Sequence, residues 1–209
     1  MAEYSFNSCL QNIEDDNYAE FKDNFELGLS AEESEYLLKA SIMNHRKFFV
    51  EYLAKKMDLS DDQIFGCQVL SSSNQDLSIF KLFIDGERSI TPQAWVNIFN
   101  IQKIDAIKEL VALKGKPTEN KLVTLQYALA NGDPQVHEFA FDEIFDKSRL
   151  DTDKSKEDLI DCVCFSGNLE LLKRLDDTEE IFKSVDEKQN LHIDFSKKLD
   201  EYIELVFQT

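Results

Sequence analysis

Residues that reverse a chain tightly are scarce in this sequence, with six Gly and three Pro in 209 positions. A meander of short strands needs such residues at nearly every hairpin, so their scarcity argues against an all-β fold. It also leaves no glycine-rich loop to cradle a phosphate, and neither G-x-S-x-G nor H-E-x-x-H occurs. The three histidines, His45, His137 and His192, are scattered. A nucleophile paired with a base would have to be assembled by folding alone, so the expectation is a protein that is not an enzyme. No run approaches the roughly 18 apolar residues of a membrane span. The start, Met1-Ala2-Glu3-Tyr4-Ser5, lacks the basic and apolar segments of a secretory signal, and the expected location is cytoplasmic.

Basic residues are the next shortage. Lys and Arg total 23 against 41 Asp and Glu, a formal charge of −18. Phosphate contacts come from Lys and Arg, so direct binding of nucleic acid is not expected. The deficit is uneven: residues 1–36 hold ten acids against Lys22 alone, and 151–180 hold ten against four bases. A chain charged in this way is drawn to basic partners and repelled by anionic membranes.

Metal-ligand patterns are also missing. Cys162-Val163-Cys164 has no second cysteine pair or nearby His to complete four zinc ligands. With Cys9 and Cys67, these thiols sit in apolar helical patterns and are expected to be reduced and buried in the core. Asp151-Thr152-Asp153-Lys154-Ser155 begins like a calcium loop, but Lys156 stands where Gly is needed and Cys162 where a bidentate Glu is needed. Ser155-Lys156-Glu157-Asp158 reads instead as the cap of a helix. Neither a metal nor a cofactor is expected.

What the chain has in quantity is helix-forming and large apolar residues, including sixteen Phe, with 43% hydrophobic content to bury. The fold class is all-α. Ser30-Ala31-Glu32-Glu33 and Ser60-Asp61-Asp62-Gln63 are capping boxes, and Thr91-Pro92 pairs a capping hydroxyl with Pro at the first helical position. Pro117-Thr118 opens the next helix. Behind these starts run apolar stripes: Tyr36, Leu37, Ala40 and Met43; Phe48, Phe49, Tyr52 and Leu53; Ile64, Phe65, Cys67 and Leu70; Leu77 to Phe83, ending at Gly86. Glu14-Asp15-Asp16-Asn17 and Asn44 break the pattern, as do Ser71 to Asn74 and Asn131-Gly132-Asp133-Pro134. Trp95, Phe48, Phe49, Leu171 and Leu172 are expected between helix pairs.

The starts at Ser30, Ser60, Thr91 and Thr118 lie 30, 31 and 27 residues apart, room for two short helices and two turns. One pair cannot cover its own apolar face, so neighbours must stack, which predicts an α-solenoid of six or seven helix pairs. Residues 1–29 read as acidic N-terminal capping helices, 30–177 as the repeats, and 178–209 as C-terminal capping helices.

The period, with Thr91-Pro92 and Gly167-Asn168-Leu169-Glu170-Leu171-Leu172-Lys173-Arg174-Leu175, resembles the ankyrin repeat, whose signature is T-P-L-H-x-A. Gln93-Ala94-Trp95 stands where Leu-His belongs, and most units lack the Gly- and Asp-rich segment of the projecting hairpin, so the β-hairpins are expected to be reduced or absent. Other helical-hairpin repeats fit the spacing too. The resemblance implies a protein-binding scaffold without chemistry of its own.

Acidic clusters then become the candidate contact surface: Glu14, Asp15 and Asp16; Glu32, Glu33 and Glu35; Asp61 and Asp62; and Asp176, Asp177, Glu179 and Glu180. Equivalent positions of stacked repeats line up, so Glu32/Glu33 and Asp61/Asp62 should share one edge. Such acids equally favour the positive end of a helix dipole and can be a solvated edge alone. The expected function is an acidic inhibitor, immunity or adaptor protein that covers a basic surface of another protein. A nucleic-acid mimic that occupies the channel of a DNA- or RNA-binding protein is the alternative, and an enzyme of unrecognised type is a third. The sequence does not fix the oligomeric state.

Overall fold

The computed structural model describes residues 2–26, 28–145, 153–168, 170, 171 and 174. Every regular element among them is an α-helix. The helices α1 (Ala2–Glu14), α2 (Tyr18–Phe25), α3 (Ala31–Met43), α4 (Lys47–Lys56), α5 (Asp61–Ser72), α6 (Phe80–Phe83) and α7 (Pro92–Ile101) belong to a compact unit, Met1–Ile101. A second unit, Gln102–Thr209, holds α8 (Ile104–Lys114), α9 (Lys121–Leu129), α10 (Pro134–Ile144) and α11 (Asp153–Ser166). The expected terminal helices of 178–209 lie outside the described residues, as do Leu27, Asp151 and Leu172.

Local chemistry sets the helix ends. The Ser30 hydroxyl accepts from Glu33 N at 3.2 Å while Ser30 N donates to Glu33 Oε2 at 2.8 Å, closing a capping box. Ser60 and Gln63 repeat it at 3.3 and 3.0 Å, and Thr91 Oγ1 accepts from Ala94 N. Each such cap contributes about 1 kcal/mol. Two helices also end alike. Asp16 (φ 59°) and His45 (φ 58°) adopt the left-handed conformation, and the amides of Asn17 and Arg46, one residue on, donate to Asn12 O and Ser41 O, both at 2.8 Å. Gly167 (φ 66°) ends α11 in the same region, and Asn168 then accepts from Leu171 N at 3.2 Å. The stops at Asp16 and His45 are of the Schellman type, and Asp, His and Gly tolerate the left-handed region better than branched residues do.

Within the first unit α1 packs on α3, α3 on α5 and α5 on α7, while α2, α4 and α6 pair with α1, α3 and α5 in turn. The core between them runs from Cys9 and Ile13 through Phe21, Leu37, Ile42, Phe49, Val50 and Leu53 to Ile64, Cys67 and Phe83. Phe21 and Phe49 meet edge to face at 4.9 Å. In the second unit α9 packs on both α10 and α11, and α8 touches α10.

Turn side chains reach back to carbonyls of earlier turns. Arg46 donates from Nε to Ile13 O at 3.0 Å and from a terminal nitrogen to Glu14 O at 2.8 Å. Asn74 Nδ2 donates to Ile42 O, and in the second unit Asn131 Nδ2 donates to Gln102 O at 3.0 Å. The connection from α6 to α7 is held from inside by Gln68. Its Nε2 donates to Phe83 O and Ser89 O at 3.1 and 3.0 Å, and its Oε1 accepts from Thr91 N at 3.0 Å.

Several expectations need correction. Phe48 is 69% exposed, because Phe49, about 100° further round α4, takes the core position; Trp95, Phe49 and Leu171 are buried. Tyr36, Met43 and Phe65 are also exposed. The helix expected from Leu77 to Gly86 is only Phe80–Phe83, since Asp76 accepts from Ser78 N at 2.8 Å and forms a local turn that competes with helix. The start expected at Pro117-Thr118 falls at Lys121, after Asn120 in a left-handed conformation. Ser155 lies inside α11, two residues after its first residue. Cys9 and Cys67 are buried, but Cys162 and Cys164 are half-exposed on either side of the buried Val163.

Adjacent phenylalanines offer a direct test of the register. Phe49→Ala should lower the unfolding free energy by about 3–5 kcal/mol, whereas Phe48→Ala should change it by no more than about 0.5 kcal/mol. Urea denaturation followed by circular dichroism measures both; equal losses would displace α4 from the register described.

Candidate functional site

The sequence-predicted acids fall into two groups. The first gathers at the starts of α3 and α5. Glu35, one turn into α3, accepts from Lys39 Nζ and from Gln63 Nε2 on α5, each at 2.6 Å. The same Gln63 amide completes the capping box of α5 through its oxygen, so one side chain both closes a helix start and fixes it against its neighbour. The two starts are thereby held side by side. Across α3 and α5 there are five carboxylates, Glu32, Glu33, Glu35, Asp61 and Asp62, against Lys39 alone. Glu33 is engaged in its cap and Glu35 in the bridge, which leaves Glu32, Asp61 and Asp62 as the exposed charges of the edge.

Glu14, Asp15 and Asp16 lie at the end of α1 and in the turn after it, beside the opposite end of α3. The Phe6 ring of α1 meets Tyr36 near the start of α3 at 5.7 Å, whereas Arg46, beyond the end of α3, reaches the carbonyls of Ile13 and Glu14. A helix the length of α3 spans about 20 Å, so the eight predicted acids do not form one ridge. Arg46 also pairs with Asp16 at 3.2 Å, and Gln11 donates to Asp15 at 3.1 Å. This second group is built into the fastening of the turn. Asp176, Asp177, Glu179 and Glu180 lie outside the described residues.

Two residues that carry the geometry, Arg46 and Gln63, were not singled out as site residues by sequence. Gln63 was legible as a cap but not as a bridge, because its second partner is 28 residues away. Among the described residues no group of three or more His, Cys, Asp or Glu could hold a metal ion, and no helix is long and apolar enough to cross a membrane.

Electrostatics follow the bonds. The Ser30 backbone N–H, then its hydroxyl, holds the Glu33 carboxyl below its ordinary value of 4.5, and Lys39, then Gln63, does the same for Glu35. A carboxyl depressed in the folded state binds protons less readily than in the unfolded chain. Its contribution is complete above pH 4.5 and is lost as pH falls through the folded value. Stability should therefore decline on the acid side of 4.5, and Glu35→Gln should make that decline shallower while leaving its neutral-pH side flat. Denaturation midpoints between pH 2.5 and 7 test this; a Glu35→Gln curve parallel to wild type throughout would remove the bridge as a source of stability.

Burial pushes the thiols of Cys9 and Cys67 up to about 11, which keeps them protonated and unreactive near neutrality. At pH 8 a thiol reagent should modify Cys162 and Cys164 first and reach Cys9 and Cys67 only on unfolding. Peptide mass mapping reads the order, and early labelling of Cys67 would contradict the packing of α5.

Comparison of the chain with family models, curated proteins and solved structures finds no match, so its candidate site rests on its own geometry.

Proposed function

We propose that this chain is a non-enzymatic protein-interaction module, an acidic inhibitor, immunity or adaptor protein, whose α3/α5 edge engages a basic surface on a partner protein in the cytosol. The observation that carries this reading is the bridge from Gln63 to Glu35, which presents Glu32, Asp61 and Asp62 together and exposed on two fastened helix starts. We further take the successive packing of α1, α3, α5 and α7, with turns that reach back one hairpin at a time, as a helical-hairpin solenoid of the ankyrin-like kind with its projecting β-hairpins reduced or absent. Fold analogy supports protein binding; the charge supports the choice of a basic partner.

The mechanism is electrostatic steering followed by docking. Exposed carboxylates held on rigid helix starts raise the rate of encounter with a cationic surface, and added salt lowers it. They contribute little to folding, because exposed charges are well hydrated. Neutralising Glu32→Gln, Asp61→Asn and Asp62→Asn together should therefore slow association with the partner by about tenfold at low salt and change the unfolding free energy by less than about 1 kcal/mol. Affinity capture from the native host identifies the partner, and surface-bound kinetics at 50 and 300 mM salt give the rates. Unchanged association in the triple variant would leave this edge merely solvated. Competition with DNA or RNA for one site on the partner would favour the nucleic-acid mimic.

A further inference from the structure

The segment between α6 and α7 is an exposed loop held from beneath at both margins. Ile84 and Ile90 are buried, and the residues between them, Asp85 to Ser89, are exposed. Gln68, fully buried on α5, reaches both margins at once. Its Nε2 donates to Phe83 O and to Ser89 O, and its Oε1 accepts from Thr91 N. Both N–H donors and the carbonyl of one amide are thus committed to the main chain of this loop. A buried polar side chain satisfied in this way holds the loop in one conformation whatever side chains the crest carries.

A second observation is Arg88. At the crest Asp85 Oδ1 accepts from Gly86 N at 2.8 Å, and Gly86 turns the chain with a φ of 68°. From Arg88 to Thr91 the backbone then runs without helix or turn. Arg88 is exposed, and among the described residues its guanidinium has no hydrogen-bond or ion-pair partner. The carbonyl of the next residue, Ser89, is one of those that Gln68 grips. A free cationic side chain therefore stands on a fixed main chain. Because the loop is already ordered, a partner that reads that side chain meets little opposition from loop entropy.

We propose that the loop 85–89 docks into the cleft of a serine protease of the trypsin type, with Arg88 filling the arginine-reading pocket and the Arg88–Ser89 peptide lying across the nucleophile. Such a pocket carries a carboxylate at its base, and a planar guanidinium pairs with it through two N–H groups. The loop acts there as an inhibitor and not as a substrate. Hydrolysis is completed only when the two sides of the cut bond part, whereas Gln68 ties Phe83 on one side and Ser89 on the other to a single amide. The cleft is occupied by a loop that leaves it intact. This inference is independent of the acidic-edge reading, since it uses none of Glu32, Asp61 and Asp62.

The test uses the full chain with trypsin, and with elastase, whose small pocket does not admit arginine, as the control. Hydrolysis of a small chromogenic amide by trypsin should be inhibited competitively, and hydrolysis by elastase should not. Arg88→Ala should weaken the inhibition about hundredfold, and Arg88→Lys should keep it within about tenfold, since a pocket carboxylate also accepts an ammonium. Mass spectrometry should find the Arg88–Ser89 bond of the wild type intact long after trypsin has cut it in a synthetic peptide of residues 84–91. Gln68→Met, close in volume but without the amide, should keep wild-type circular dichroism and be cut at that bond as fast as the peptide. The triple variant Glu32→Gln/Asp61→Asn/Asp62→Asn should inhibit as the wild type does. Absence of inhibition by the wild type, or inhibition that Arg88→Ala leaves unchanged, would overturn the docking loop. A wild-type chain cut between Arg88 and Ser89 as fast as the peptide would overturn the bracing by Gln68, and so would a folded Gln68→Met that resists cutting. Should Gln68→Met fail to fold, the wild type against the peptide decides that point alone. Inhibition lost in the triple variant would move the contact to the acidic edge and overturn the role of Arg88.

Discussion

A helix that ends against its neighbours leaves carbonyls that still need donors, and the architecture of this chain depends on how those donors are supplied. Arg46 serves Ile13 and Glu14, Asn74 serves Ile42, and Asn131 serves Gln102. In the first unit the donor sits in the turn of one hairpin and the acceptor in or beside the turn of the previous one. Apolar burial is not directional and would tolerate sliding of one hairpin on the next. These bonds are directional, and they set the register in which Cys9, Ile42, Phe49 and Ile64 meet.

The opposite ends of α3 and α5 are governed by a different economy of groups. One glutamine amide has an acceptor and two N–H donors, and Gln63 uses the first within its own cap and one of the second on Glu35. Rigid presentation of charge follows from that division, because neither helix start can fray without releasing a bond held by the other. The acids at the α1–α2 turn have another role. Arg46 meets Asp16 there while its other donors hold main-chain carbonyls, so that group belongs to the framework.

Features set by neighbours in sequence were legible without coordinates. The caps at Ser30, Ser60 and Thr91 are local hydrogen bonds, and the breaks at Asp15 to Asn17 and at Asn44 are local conformations; the structure has all of them. Sequence spacing alone misplaced Phe48, because both members of Phe48-Phe49 fit an apolar stripe and only packing decides which faces inward. It overextended α6, because Leu77 and Ile79 are buried from a turn as well as they would be from a helix. Of the candidate site, the alignment of the α3 and α5 acids could be anticipated from the period. The separate placement of Glu14 to Asp16 could not, since it follows from the direction in which α1 runs beside α3.

Gln68 holds the passage from α6 to α7 by main-chain atoms at its margins, Phe83, Ser89 and Thr91, while Asp85 to Arg88 stay exposed at its crest. Apart from Gly86, whose left-handed φ of 68° favours glycine, and Asp85, which accepts from its amide, the identity of the crest residues is nearly decoupled from folding. Along lines of descent this segment can change composition, lengthen or acquire a new recognition sequence without disturbing the helices on either side. A buried amide that clasps the base of a loop makes its tip the part of this unit most open to evolutionary novelty.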